Sequence, residues 1–450
     1  MNLRSLLGLS EDVKRIGLYG VGKSNSALLD ILPSGAEITL RSDKKIERAR
    51  VPNDRRIVKI YDGDCATDRI CEQVIFFSPS VRRDAPALKR AHEQGVVFSS
   101  ECELFFKEVN APVYAVTGSS GKSTTSTLIS LLLSEKYGKV ALCGNIGVPF
   151  ISSEPSDAYV AELSSFQLTY LSTFTERAVI TNITPNHLNW HTSFKEYKSA
   201  KLSLLRHTRG AVLSIDDETL AEVARHRNTY AISSTEKSYS QIKTDYDFSV
   251  AYTVEGDFIC RNGVPFIPLR ALLRKEKYNV KNFALALAAC DTAVSPEHAM
   301  RVAGNFSGLA HRCEHVATLG GADYYDSSID TSPERTAATL ESLGRKCYVL
   351  LGGRSKGLPF DILVPSLQEY AKEAVLYGEC KDEMMRAFSS KIPTREFDTL
   401  NDATRYCIGK AGVGDTVILS PAATSYDAFQ SFEERGDCFE KTVKEYIKTD

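Results

Sequence analysis

The sequence predicts an α/β protein of three domains, each organised on a parallel sheet. Three observations carry this. The chain has 450 residues, about three domains at roughly 150 residues each. Short apolar runs alternate with helical stretches along most of its length, the pattern of strands covered by helices. Two predicted strands also run straight into glycine-bearing turns, at Gly20–Gly22 and Gly118–Gly121.

Bulk composition narrows the function classes. Hydrophobic residues make up 43% and charged residues 25% of the chain, a balance that can bury a core in each domain. Net charge is −2, so no basic footprint for nucleic acid or an anionic membrane is present. No apolar run reaches the roughly 20 residues a membrane span needs. The opening "MNLRSLLGLSEDVKRIG" lacks a long apolar core with a cleavage site, so no secretory leader is expected. Eleven cysteines are scattered with no C-x-x-C pair, as free thiols in a reducing cytosol would be. A cytoplasmic protein with small-molecule partners is expected, without nucleic-acid or membrane partners.

The first domain is expected over residues 1–108. "RIGLYG" (15–20), "EITL" (37–40), "QVIFFS" (73–78) and "VVFS" (96–99) read as strands, and 24–32 and 82–95 as helices. Gly20-x-Gly22 between strand and helix suits a dinucleotide fingerprint, but Asn25 stands where the third glycine should permit close helix–strand packing, and is expected to spoil it. The turn is either a plain βα connection or a nest of N–H groups for a diphosphate or a uracil. Asp43, past the next strand, is either an acceptor for such a ligand or a solvated acid.

The second domain is expected over 109–308. "YAVTG" is a strand and "KSTTSTLISLLL" a helix with Leu128, Ile129 and Leu132 on one face. Between them Gly118, Ser119, Ser120 and Gly121 are small enough for the backbone to wrap a phosphate. Lys122 can neutralise β- and γ-phosphates, the Ser123 hydroxyl can ligate Mg²⁺, and Thr124 continues the cradle. The loop is shorter than the usual P-loop, because Val116 occupies the position of its first glycine.

Beyond the cradle, further strands are read at 139–143, 159–163, 177–183 and 210–215, and helices at 194–207 and 280–293. Glu162 falls at a strand's C-terminal end and His187 just after another, where open α/β sheets bind ligands. One glutamate and one histidine beside a phosphate site suit Mg²⁺, which keeps few protein ligands. His187 and His191 are four apart, but the intervening "LNW" does not read as helix, so a two-histidine zinc site is not expected. Lys195, Lys198 and Lys201 share helical spacings, and spacing alone singles out none of them. The third domain is expected over 309–450, with strands at 346–352, 373–378 and 415–420.

"TGSSGKST", "GNIG", "ELSSFQL", "NHLNWH", "YKSAK", "GLAHRCE" and "SPAATSYDAF" occur in this order, and as a set they resemble the Mur ligases from about residue 13 to 447. The resemblance implies a Rossmann-like UDP-binding domain, a central P-loop-type ATPase domain and a C-terminal Rossmann-like domain. It implies an ADP-forming acid–amino-acid ligase that uses ATP and Mg²⁺ in peptidoglycan precursor synthesis. Within the family the motifs look most like the member that adds D-glutamate to UDP-N-acetylmuramoyl-L-alanine through an acyl phosphate. Another Mur-type ligase, a folylpolyglutamate synthetase-like ligase and a catalytically degenerate paralogue are the alternatives. The nucleotide-sugar domain before the cradle weighs against the synthetase.

By motif, the resemblance implies that Lys122 and Ser123 hold ATP phosphates and a first Mg²⁺, which Glu162 also ligates. His187 ligates a second, and Lys201 matches a lysine carried as a carbamate. Asn145 touches the muramoyl substrate. Asn279 and Asn282 lie on the adenine side, and Arg312 reaches ATP from the third domain. Lys23, Ser24 and Asp43 take the uridine-diphosphate positions. Thr331, Lys356, Ser425, Tyr426 and Phe432 take those of the amino acid, whose two carboxylates call for a cation such as Lys356. The chain departs from the family at Ser327, an acidic position, and at Ile329, a lysine position. Asp326 or Asp330 is the expected compensation. A monomer is expected.

Overall fold

The computed structural model describes residues 3–8, 13–48, 51–188 and 190–447. The chain divides into two compact units, 1–306 and 307–450.

The first unit carries two sheets. One holds β1 (Arg15–Tyr19), β2 (Glu37–Ser42), β3 (Ile57–Asp62), β4 (Val74–Phe77) and β5 (Val97–Ser99) in the order β3-β2-β1-β4-β5. All pairings are parallel. Alternate residues feed two cores. Ile16, Leu18, Val74 and Phe76 pack on one face, and Tyr19, Ile75 and Phe77 on the other. A parallel sheet buried on both sides requires such continuous apolar runs. β3 was not anticipated. No α-helix links β2 to β3 among the described residues, so the strand–helix alternation skips a beat there.

The second sheet holds β6 (Val113–Thr117), β7 (Val140–Gly144), β8 (Ala158–Glu162), β9 (Arg177–Ile180), β10 (Ala211–Ser214), β11 (Thr229–Ser234), β12 (Phe248–Glu255), β13 (Phe258–Arg261) and β14 (Val264–Pro268). Its order is β14-β13-β12-β11-β10-β9-β6-β8-β7. Strands β6 to β12 pair in parallel, and β12-β13-β14 form an antiparallel meander that a search for strand–helix alternation passes over. The chain leaves β6, fills β7 and β8 on one side, then crosses to β9 on the other. The C-terminal end of β6 is therefore a switch point, where open α/β sheets form a ligand crevice. The helix Lys122–Leu133 follows β6 and buries Leu128, Ile129 and Leu132. The helix Lys277–Cys290 packs against it.

The second unit holds β15 (Glu314–Leu319), β16 (Ala322–Asp326), β17 (Cys347–Gly352), β18 (Ala371–Tyr377), β19 (Thr394–Glu396) and β20 (Thr416–Ala422) in the order β15-β16-β20-β17-β18-β19. β15 runs antiparallel to β16 and the rest are parallel. Val349 and Leu351 join one core and Leu350 the other, so helices cover both faces. All eleven cysteines are free thiols. No helix of the described residues is long and apolar enough to cross a membrane.

Candidate active site

Gly118 and Gly121 shape the cradle. Gly121 caps the helix Lys122–Leu133 with φ +76°. A Cβ there would lie 2.5 Å from Asn282 Oδ1, and one on Gly118 would lie 1.8 Å from Thr181 Oγ1. Both positions thus have side chains from distant elements pressed against them. The end of β9 holds the loop in shape. Thr181 Oγ1 donates to Ser120 O at 2.6 Å, Asn182 Nδ2 donates to the same carbonyl at 3.0 Å, and Ser120 N donates to Asn182 Oδ1 at 3.0 Å. Ser119 N donates to Asn182 O at 2.9 Å, and Ser119 Oγ meets Tyr197 OH at 2.8 Å. Thr181 and Asn182 escaped the sequence reading. Their signal was a Thr-Asn pair at a strand end beside the cradle strand, which needs the strand order to be known. Ser123 and Thr124 are buried in the helix's first turn.

Two lysines converge on one carbonyl. Lys122 Nζ donates to Gly118 O at 3.0 Å and Ser119 O at 3.2 Å. Lys201 Nζ donates to Gly118 O at 2.6 Å and to Thr117 Oγ1 at 3.4 Å. Of the three lysines on the helix Phe194–Leu202, Lys195 is exposed, Lys198 half-buried and Lys201 only 2% exposed. Burial holds the Lys201 ammonium well below the usual lysine range. The Lys122 charge adds to this and Glu162 opposes it.

Glu162 closes β8 beside Val116 and is buried. Its Oε1 accepts from Asn145 Nδ2 at 2.8 Å, and Asn145 N donates to Glu162 O at 3.0 Å. Its Oε2 is buried and accepts no hydrogen bond among the described residues. A buried carboxylate oxygen without a donor is costly and is the kind of atom a hard divalent cation satisfies. The residues present therefore fit Mg²⁺. His187 lies on the exposed loop after β9 with φ +54°, its ring centroid 5.0 Å from that of Phe166. His191 is buried on Ser165 Oγ at 2.9 Å, no helix spans the two histidines, and Asn189 of this motif lies outside the described residues. Asn282 sits against Gly121 and accepts from Thr125 Oγ1 at 3.4 Å. Asn279, on the same helix, donates to Glu276 Oε2 at 3.0 Å.

On the first sheet, Lys23 opens the helix Lys23–Leu28 after Gly22, Ser24 lines a cleft with Ser78, Val81 and Arg83, and Tyr19 OH donates to Asp43. Asn25 does not spoil the packing. It is buried, and its Nδ2 donates to Tyr19 O at 3.0 Å, Gly20 O at 2.9 Å and Phe76 O at 3.3 Å. An amide that satisfies three strand-end carbonyls replaces the close contact a glycine would allow.

In the second unit Lys356 Nζ donates to Thr331 Oγ1 at 2.9 Å, and burial lowers the Lys356 ammonium, with Arg335 adding to the depression. Ser425 is buried and its carbonyl accepts from Phe429 N at 2.9 Å, whereas Tyr426 is exposed. Phe432 opens the helix Phe432–Ile447, and Arg312 lies on the turn before β15. Asp326 and Asp330, the expected compensation for Ser327, are both buried and hydrogen-bonded. Asp326 is buried on His311 Nδ1 at 2.7 Å and accepts from Ser328 N at 2.7 Å. Asp330 is buried on Ser420 Oγ at 2.8 Å. Asp326 ties the turn before β15 to the loop at Ser328, and Asp330 ties that loop to β20. Arg435, fully buried and absent from the sequence reading, gathers three strand ends by donating to Gly352 O, Ala423 O and Ser328 O.

Residues 116–290 match the Mur ligase middle domain. The chain is 33% identical over 455 residues to a UDP-N-acetylmuramoylalanine–D-glutamate ligase of Clostridium botulinum, covering 96% of this chain and 97% of that one. It is 34% identical to its namesake in Clostridium perfringens, covering 96% of each. Among solved structures it is similar in fold to a UDP-N-acetylmuramate–alanine ligase of Thermotoga maritima, with a TM-score of 0.61, 17% identity and coverage of 98% and 100%. A ligase of Acinetobacter baumannii that joins D-alanyl-D-alanyl to a UDP-muramoyl tripeptide gives 0.57, with 16% identity and coverage of 99% and 97%. With a phosphate cradle at the switch point, a buried lysine and glutamate beside it, and this similarity along nearly its whole length, the chain belongs to the Mur ligase family.

Proposed function

We propose that this protein is an ATP-dependent, ADP-forming ligase that adds D-glutamate to UDP-N-acetylmuramoyl-L-alanine in peptidoglycan precursor synthesis. It acts in the cytoplasm as a monomer, with residues 1–108 binding the UDP-substrate, 109–308 binding ATP and 309–450 binding the amino acid. The observation that carries the reading is the meeting of Lys122 and Lys201 at Gly118 O, with the undonated Glu162 Oε2 on the adjoining strand.

The chemistry follows from charge. A carboxylate repels nucleophiles and has no leaving group. Transfer of the ATP γ-phosphoryl group forms a P–O bond to that carboxylate and breaks the bond to ADP. The amine of D-glutamate then attacks the acyl carbon, the C–N bond forms, the amine loses a proton and phosphate departs. The cradle N–H groups other than those of Ser119 and Ser120, which Asn182 engages, and the Lys122 ammonium hold the phosphate charge as the anions approach. Ser123 and Glu162 would hold one Mg²⁺, and His187 with a carbamylated Lys201 would hold a second, supplying further charge neutralisation. Lys201 takes part as a carbamate. Its depressed basicity favours the neutral amine that CO₂ requires, and the product is an anion suited to a cation. Asn279, Asn282 and Arg312 bind ATP. Lys23, Ser24, Asp43 and Asn145 bind the UDP-substrate. Thr331, Lys356, Ser425, Tyr426 and Phe432 bind D-glutamate.

A phosphate-release assay with Mg-ATP and UDP-muramoyl-alanine, run across D-glutamate, L-lysine, diaminopimelate and L-alanine, tests this. Release is expected with D-glutamate alone. Turnover with another member of the panel and none with D-glutamate would overturn the specificity.

A further inference from the structure

Trp190 is the single tryptophan of the chain, and its place in the first unit is unusual. Its indole Nε1 donates to Ser80 O at 2.7 Å, across from the loop after β9 to the loop after β4. Arg82, on that same β4 loop, reaches back. Its NH1 donates to Trp190 O at 2.7 Å and lies 3.3 Å from Glu196 Oε1, while its guanidinium sits 5.0 Å from the indole centroid. Asp84 holds the other edge of Arg82 at 2.7 Å. Two reciprocal hydrogen bonds and a cation–π contact thus tie the turn Ser78–Asp84 to the loop that carries His187.

Both ends of this clamp bear on ligand positions. The turn Ser78–Arg83 forms one wall of the cleft that also includes Ser24, and Phe166 and Tyr170 form another. Phe166 in turn packs at a tilt 4.7 Å from Trp190 and edge-on 5.0 Å from His187. A ligand in this cleft would touch the turn whose Ser80 carbonyl and Arg82 guanidinium are hydrogen-bonded to the His187 loop. Arg82, Trp190 and Phe166 themselves are not among the residues assigned to the site above.

We propose that Arg82 and Trp190 are positioning residues that couple occupancy of the nucleotide end of the UDP-substrate to the placement of His187. This rests on the reading of the first sheet as the UDP-binding one. Trp190 is its own reporter. Saturation of the full-length protein with UDP alone should change the tryptophan emission. Arg82→Ala should bind UDP within threefold of wild type by calorimetry but lose the emission change. Its kcat should fall at least fivefold while KM for the UDP-substrate holds within threefold, and Arg82→Lys should recover part of the loss. Trp190→Phe keeps an aromatic face but removes the indole donor and one fused ring, and should show the same fall in kcat if Arg82→Ala does not fold. Emission indifferent to bound UDP, or wild-type kcat in both variants, would overturn the clamp. A wild-type protein that binds UDP with an emission change but makes no amide would overturn the assigned reaction and leave the clamp standing. Calorimetry showing no UDP binding would overturn both.

Discussion

Gly121→Ala tests whether the cradle and the Asn282 helix form one side of a nucleotide site. The change adds one methyl group, and the structure sets two costs. Gly121 has φ +76°, where an L-residue loses about 1–2 kcal/mol. The new Cβ would also lie 2.5 Å from Asn282 Oδ1, 3.3 Å from Cγ and 3.5 Å from Nδ2. Asn282 is buried on its helix, so its amide must rotate off its preferred position, at about 0.5–1.5 kcal/mol. The free loop can relax part of this strain, but bound phosphates restore the original path. The sum, about 1.5–3.5 kcal/mol, sets the ceiling, a rise of up to about 10- to 300-fold in KM for ATP, with KM for D-glutamate unchanged. Gly256→Ala is the control. Gly256 has φ +55° and nothing within 4 Å of a Cβ, so it carries the backbone cost without the collision and should leave KM for ATP alone. Removing the obstacle in Gly121→Ala/Asn282→Ala should shrink the Gly121→Ala penalty relative to Asn282→Ala. A folded Gly121→Ala enzyme with KM for ATP within twofold of wild type would refute the shared site.

Three further outcomes are expected. Lys201→Ala should abolish phosphate release, and short carboxylic acids should restore part of it. Unchanged turnover would remove Lys201 from the site. Lys356→Ala should raise KM for D-glutamate at least tenfold and leave KM for ATP alone, so a parallel change in both would count against its role. The His311 imidazolium is held above the ordinary histidine range, chiefly by its hydrogen bond to Asp326, against burial and with help from the Asp326, Asp437 and Glu314 charges. A raised folded pKa stabilises fully below the unfolded value of about 6.5 and loses that contribution as pH climbs through the folded one. Hydrogen exchange in the second unit should therefore report weakening stability from pH 6 upward, and Asp326→Asn should flatten the profile. Equal slopes in the two proteins would disprove the coupling.

Local signals were read well where local physics sets the structure. The strand-loop-helix at 113–133 appeared in the sequence because small residues, a Gly-Lys-Ser step and a 3.6-residue apolar period lie in one short window. Buried strands such as β6, β10, β17 and β20 were legible as apolar runs for the same reason, whereas β11, β12 and β16, with their tyrosines, threonines and serines, were not. Strands whose role depends on partners were not. β3 exposes Val58 and Ile60 at a sheet edge, and β13 and β14 belong to a meander outside the strand–helix rhythm. Asn25 was misjudged because its three acceptors come from two strands, and only one of those is adjacent in sequence.

The sequence by itself determined the α/β class, the cradle and the set of residue types around it, since each is encoded within a few neighbouring positions. Tertiary structure decided which of them meet. Lys195, Lys198 and Lys201 are chemically alike, and each step of three residues turns a side chain by about 60° around the helix. The rotation of about 120° from Lys195 to Lys201 separates solvent from the Gly118 carbonyl. Only the packing of that helix against the end of β6 says which lysine turns inward. The same holds for Thr181 and Asn182, whose partners in the cradle lie beyond any local window and are chosen by strand order.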